Sequence, residues 1–178
     1  MARLPSVLLP GEFSVAELCA ARLDGQVVPL DEGFLISDLP LGPTERAASL
    51  VALLPSGTVA DRTSAAWVHG ALEFPPRIHS ASIDRRRRLH PPQLVRVRFH
   101  EVRLTDADIT VLGNCAVTTP ERTLIDLART AGDNALLRML AMTTTTSLDR
   151  VLDHLINGAR IGGRRQVEAR LRAALDVP

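Results

Sequence analysis

Seven arginines, Arg85, Arg86, Arg87, Arg88, Arg96, Arg98 and Arg103, fall within residues 84–103 against only two acids, Asp84 and Glu101. The local excess of +5 stands in a chain whose total is +1. A guanidinium is a planar fork of donors that fits phosphate oxygens, so nucleic acid is the first partner class this stretch points to. All 21 basic residues are arginine and lysine is absent, so placement carries more than number. Residues 1–80 hold five Arg against nine acids, and residues 81–178 hold sixteen against eleven. The same stripe also reads as a solvated sheet face or a site for an acidic protein partner. With four Phe, one Trp and no Tyr, base stacking has few platforms. Contact with DNA would therefore be made to the backbone and would be sensitive to salt.

Asp84 and Glu101-Val102-Arg103 carry a second possibility. Sixteen residues separate the carboxylates, a spacing similar to that of PD-(D/E)xK nucleases, where two carboxylates hold Mg²⁺ and a lysine assists the attacking water. Arg103 stands in the lysine position and keeps its proton, which counts against this reading. His69, His79, His90, His100 and His154 show no metal-ligand spacing, and no metal or cofactor is expected. Ser64 and Ser80 lack the Gly-flanked turn of hydrolase nucleophiles. His69 reads as a capping or core histidine, and Asp126 and Arg129 as local pairs or docking contacts. A non-enzymatic protein is the expectation, with a metal-dependent nuclease as the alternative.

The elements that must position these residues are legible from caps and periodicity. Ser14-Val15-Ala16-Glu17 is a capping box opening a helix to about Asp24, stopped by Gly25. Residues 26–37 read as a β-hairpin turning at Asp31-Glu32-Gly33. Pro43 opens a helix through about Leu54, and Thr63–Gly70 a shorter one. Period-two alternation over 77–104 predicts strands with one buried and one solvated face, on which Arg96 and Arg98 share a side. Residues 111–117 read as a tight turn into another strand, after which Thr119-Pro120 opens a helix. Helices follow at about 133–142, 147–157 and 163–175, with Gly132 and Gly158 as stops. The expected class is α+β, a mainly antiparallel sheet packed with helices and a helical C-terminal third. The cysteines, Cys19 and Cys115, read as buried free thiols of a reducing compartment. Without a signal-peptide pattern or an apolar run of about 20 residues, a cytoplasmic protein with no membrane contact is expected.

Four segments together carry a resemblance: Ser64-Ala65-Ala66-Trp67-Val68-His69-Gly70, Asp84-Arg85-Arg86-Arg87-Arg88, His100-Glu101-Val102-Arg103-Leu104, and Val117-Thr118-Thr119-Pro120-Glu121-Arg122-Thr123-Leu124-Ile125-Asp126-Leu127-Ala128-Arg129. In this order they resemble the AbiEi family, antitoxins and transcriptional regulators of type IV toxin–antitoxin systems, in its actinobacterial form, over roughly residues 12–130. The resemblance implies an N-terminal winged-helix DNA-binding unit, here residues 1–39, and an antitoxin domain, here 40–178. It also implies a cognate nucleotidyltransferase-like toxin as partner. Between the first helix and the hairpin, Gly25 and Gln26 leave no room for a recognition helix. The hairpin bears acids and no Arg, so the winged-helix unit reads as degenerate and the arginine stripe as the main polyanion surface. A protein-binding antitoxin without DNA readout is the alternative regulator.

Overall fold

Local signals place the elements. The computed structural model describes residues 5–87, 89–130, 133–158 and 161–176. A two-residue strand β1 (Val7–Leu8) precedes α1 (Val15–Leu23). The Ser14 hydroxyl accepts from the Glu17 amide and the Glu17 carboxylate accepts from the Ser14 amide, completing the capping box. β2 (Val27–Leu30) and β3 (Gly33–Ile36) form the hairpin, and Asp31 makes its tight turn with a φ of 49°. β3 also pairs with β1, giving a three-stranded antiparallel sheet. Helix α2 (Pro43–Ser49) has its proline in the first turn. It ends five residues before the expected Leu54, where the chain goes on through turns.

The main sheet comprises β4 (Val59–Ala60), β5 (His79–Asp84), β6 (Val97–Val102), β7 (Ile109–Leu112) and β8 (Cys115–Thr118), in the order β6-β5-β4-β8-β7. Between β4 and β5 lies α3 (Arg62–Val68). The α+β class holds, but this sheet is mixed: β4–β5 and β7–β8 are antiparallel, β5–β6 and β4–β8 parallel. Residues 85–96 supply the crossover of about a dozen residues that a parallel β5–β6 pair needs. β5 is buried along its whole length, on both faces. The expected buried-and-solvated alternation there becomes an alternation of chemistry, with Ala81 and Ile83 on one side and Ser80, Ser82 and Asp84 on the other.

Helices α4 (Pro120–Arg129), α5 (Asn134–Thr143), α6 (Leu148–Asn157) and α7 (Arg164–Leu175) form the C-terminal third. Gly158 caps α6 as expected, while Gly132 lies outside the described residues. Every residue of α4 from Arg122 to Ala128 is buried, and the helix is the hub on which α3, α5, α6 and α7 pack. One apolar core joins the hairpin, α2, α3 and the sheet through Leu30, Leu35, Leu50, Trp67, Ala81 and Val117. A second lies among the helices around Leu124, Ile125, Leu137, Val151 and Leu171. Cys115 is buried as expected, which pushes its thiol up to about 11. Cys19 is exposed, contrary to expectation, because α1 buries only Leu18. No described helix is long and apolar enough to cross a membrane.

Candidate nucleic-acid interface

The seven arginines do not form one stripe. Arg86 folds back on Asp84, donating from Nε at 2.9 Å and from an Nη at 2.6 Å, and also caps the Leu104 carbonyl. Those contacts hold the Asp84 carboxyl below the usual carboxylate range. Arg96 lies just before β6 and donates to Asp31 at 2.7 Å and to Glu32, fastening the acidic hairpin turn to the sheet. Arg87 is exposed and lines another cavity, with Gly57 and Asp106. Arg88 lies outside the described residues. Arg85, Arg98 and Arg103 are exposed and make no ion pair among the described residues.

Arg98 lies on β6, an edge strand of the sheet, and Arg103 and Arg85 stand side by side just past the ends of β6 and β5, where the Arg85 amide donates to the Val102 carbonyl. Arg85 and Arg103 line a cavity of about 550 Å³ together with Arg129, from the last turn of α4, and Glu101. Arg98 lines a neighbouring cavity of about 380 Å³ with Arg62 and His100. The sequence did not single out Arg62 or Arg129 for binding; only the placement of α3 and α4 against the β6 edge brings them there. Five residues apart, Arg98 and Arg103 project to opposite faces at this edge, Arg98 with His100 and Arg103, just past the strand, with Glu101.

Behind this band lies a buried polar cluster. Arg122, 1% exposed, donates to Asp126 at 2.8 Å and to the Arg103 carbonyl at 3.2 Å, and pairs with Asp108 at 3.2 Å. Asp108 also meets His154 Nε2 at 2.8 Å and accepts from the Thr105 amide at 2.6 Å, which outweighs burial and holds its carboxyl far below the usual range. Burial pushes Asp126 and Asp61 the other way, above it. Asp61 accepts from the Ser82 hydroxyl at 2.5 Å, but its second oxygen has no partner. Arg62 donates to His100 Nε2 at 2.5 Å. Since arginine has no acceptor, that nitrogen is unprotonated, in accord with a His100 pKa lowered to about 4 by burial and by Arg62 and Arg98. Asp126 docks its helix as expected. Arg122 is a buried cation, which its polar identity hid in the sequence.

The nuclease pairing fails on geometry. Asp84 is in register with Val102, so Glu101, one residue earlier, projects from the other face of the sheet. Asp84 is occupied by Arg86 as well, and no cluster of three or more metal-ligating side chains exists among the described residues. Ser64 Oγ lies 3.0 Å from His79 Nδ1, and His79 Nε2 2.9 Å from Asp31. The order resembles a hydrolase triad, but Ser64 and His79 have no exposed surface and the Ser64 oxygen accepts from the Ser80 amide. No substrate reaches the hydroxyl, and the three residues anchor the hairpin to β5. His69 is a core residue, with its Nε2 donating to the Thr118 carbonyl at 2.8 Å.

Comparison with known proteins supports a family but no individual counterpart. No curated protein matches the chain. Among solved structures, the RV2827C protein from Mycobacterium tuberculosis has a similar fold, with a TM-score of 0.51 and 17% identity over 97% of this chain and 72% of that one. The family model of the AbiEi antitoxin C-terminal domain matches residues 53–177, extending through the helical third that the recognised segments left out. The main sheet, the β6 edge and all four C-terminal helices therefore fall within the matched region, and the chain belongs to the AbiEi antitoxin family.

Proposed function

We propose that this antitoxin-family protein is a transcriptional regulator of a type IV toxin–antitoxin system that holds DNA by its backbone along the β6 edge. The observation that supports the reading is that Arg85, Arg98, Arg103 and Arg129, all exposed and unpaired among the described residues, line two cavities at the β6 edge. Arg86 and Arg96 support the fold there instead, and Arg87 faces elsewhere. No helix lies between α1 and β2 to enter a major groove, so the contact carries little sequence information.

The test is duplex DNA binding titrated with salt, for wild type and for the protein with Arg85, Arg98, Arg103 and Arg129 all replaced by Gln. Each lost phosphate contact lowers the slope of log K against log salt by about 0.9, so the quadruple variant is expected to lose most of the slope. Absence of binding at low salt, or an unchanged slope in the variant, overturns the reading. A second reading, docking of a nucleotidyltransferase-like toxin, is favoured by α1, whose Val15 and Leu23 are 68% and 88% exposed around Cys19. Such a toxin would bind wild type and be rejected by Leu23→Glu, and equal binding of both would exclude α1 as its site.

A further inference from the structure

The cavity beside the DNA-backbone band has features that the band does not require. Arg62 begins α3 with a φ of 46°, a left-handed conformation that is strained for a non-glycine residue and is found chiefly where function or packing imposes it. Its side chain is 17% exposed, and its nearest carboxylate oxygen, on Asp61, is 3.9 Å away. That oxygen is engaged by Ser82. The Arg62 Nε is buried without a partner, and the guanidinium's one hydrogen bond among the described residues goes to a neutral imidazole. A half-buried cation is thus held with most of its donors unspent. Arg98 lines the same cavity, beside Ser80 in the β5–β6 register, with all its donors free among the described residues.

The rest of the lining is mixed, with the apolar side chains Ile78, Leu127 and Leu136 among Thr63, Ser80 and Thr130, and with Asp133 as its one acid. The cavity of about 380 Å³ lies within the range of small-molecule sites and is far larger than one inorganic anion needs. Two guanidinium forks suit an oxyanion with several acceptor oxygens better than a carboxylate, and the apolar side chains of the lining suit an organic body attached to it. We propose that the Arg62–Arg98–His100 cavity binds a phosphate monoester, with Arg62 and Arg98 on the phosphate and Ile78 and Leu127 against the organic group. The inference is independent of the DNA reading except at Arg98, which serves both.

The experiment is calorimetric titration of the full chain, at neutral pH and low ionic strength, with inorganic phosphate and with adenosine 5′-monophosphate. Saturable one-to-one binding is expected, tighter for the nucleotide than for phosphate, and weakened at least tenfold by Arg62→Gln and by Arg98→Gln. Arg98 is exposed, so its variant tests the site without disturbing the fold. Arg85→Gln with Arg103→Gln is expected to leave nucleotide binding unchanged while weakening duplex DNA, which separates this site from the backbone band. No saturable binding, nucleotide binding that Arg98→Gln leaves intact, or a nucleotide that binds no more tightly than inorganic phosphate each overturns the proposal. Loss of nucleotide binding in the Arg85 and Arg103 variant overturns it too, by making the ligand simply another phosphate of the band.

Discussion

Replacing Arg122 by Met removes the cation of the buried cluster while keeping an unbranched side chain of similar reach. Arg122 and Asp108 are each 1% exposed and Asp126 4%, so neither carboxylate regains water when the guanidinium goes. Breaking a buried pair in this way costs about 3–5 kcal/mol. Asp108 keeps His154 and the Thr105 amide, whereas Asp126 loses its only side-chain partner among the described residues, which places the expected loss near 4 kcal/mol. For a chain of this size that lowers Tm by about 8–16 °C. The assay is urea unfolding followed by the fluorescence of the single tryptophan, Trp67, 1% exposed in the core, with the midpoint falling and m unchanged. Adding Asp126→Leu removes the stranded carboxylate and should recover roughly half the loss. Burial raises the Asp126 pKa and Arg122 opposes that rise, so without Arg122 the stranded carboxyl takes up its proton above the ordinary carboxylate range as pH falls. The gap between wild type and Arg122→Met should therefore narrow as pH falls toward about 4. A loss under about 1 kcal/mol, or a double variant no more stable than the single one, would refute the account of the cluster.

Three further outcomes follow from contacts described above. Asp61→Asn should stabilise the protein by roughly 1 kcal/mol at pH 7, because burial raises the Asp61 pKa and its charged form is the disfavoured one in the fold. The advantage should shrink as pH drops toward 4, where the wild-type carboxyl takes up its proton, and a variant that melts below wild type at pH 7 contradicts this. Asp31→Ala should cost about 2–4 kcal/mol by stranding His79 and Arg96. It should speed amide exchange in Val27–Leu30 and Gly33–Ile36 ahead of the main sheet, and unchanged protection there would show that the turn is held by other contacts. Gly113→Ala should cost about 2–3 kcal/mol, since Gly113 has a φ of 51° and a Cβ there would lie 2.3 Å from the Thr44 carbonyl oxygen. A melting temperature within 2 °C of wild type would refute it.

Elements with local signals were readable in advance. The capping box at Ser14, the turn at Asp31, the Thr119-Pro120 helix start and the three later helices all depend on residues within one turn of each other. The site was less legible because it depends on parity and pairing over long separations. Nothing near Arg96 in the chain announces Asp31, 65 positions away, and nothing near Arg86 shows that it folds back on Asp84 while Arg85 stays free. The polar face of β5 is buried although Ser80 and Ser82 alternate with apolar residues as a solvated face would. Their solvent is replaced by Asp61, whose backbone carbonyl and carboxylate accept from the two hydroxyls. Arg62 and Arg129 give no local sign that α3 and α4 deliver them to the β6 edge.

The ion pairs from Arg96 to Asp31 and Glu32 have a directional consequence. They place an acidic turn beside the start of β6, whereas Arg103 and Arg85 stand at its far end. The edge is therefore graded in charge along its length: an anion held there would have the Asp31 and Glu32 carboxylates toward one end and the Arg85 and Arg103 guanidiniums toward the other. A duplex held there would lie off-centre toward the arginine end, in an orientation defined without reading a single base.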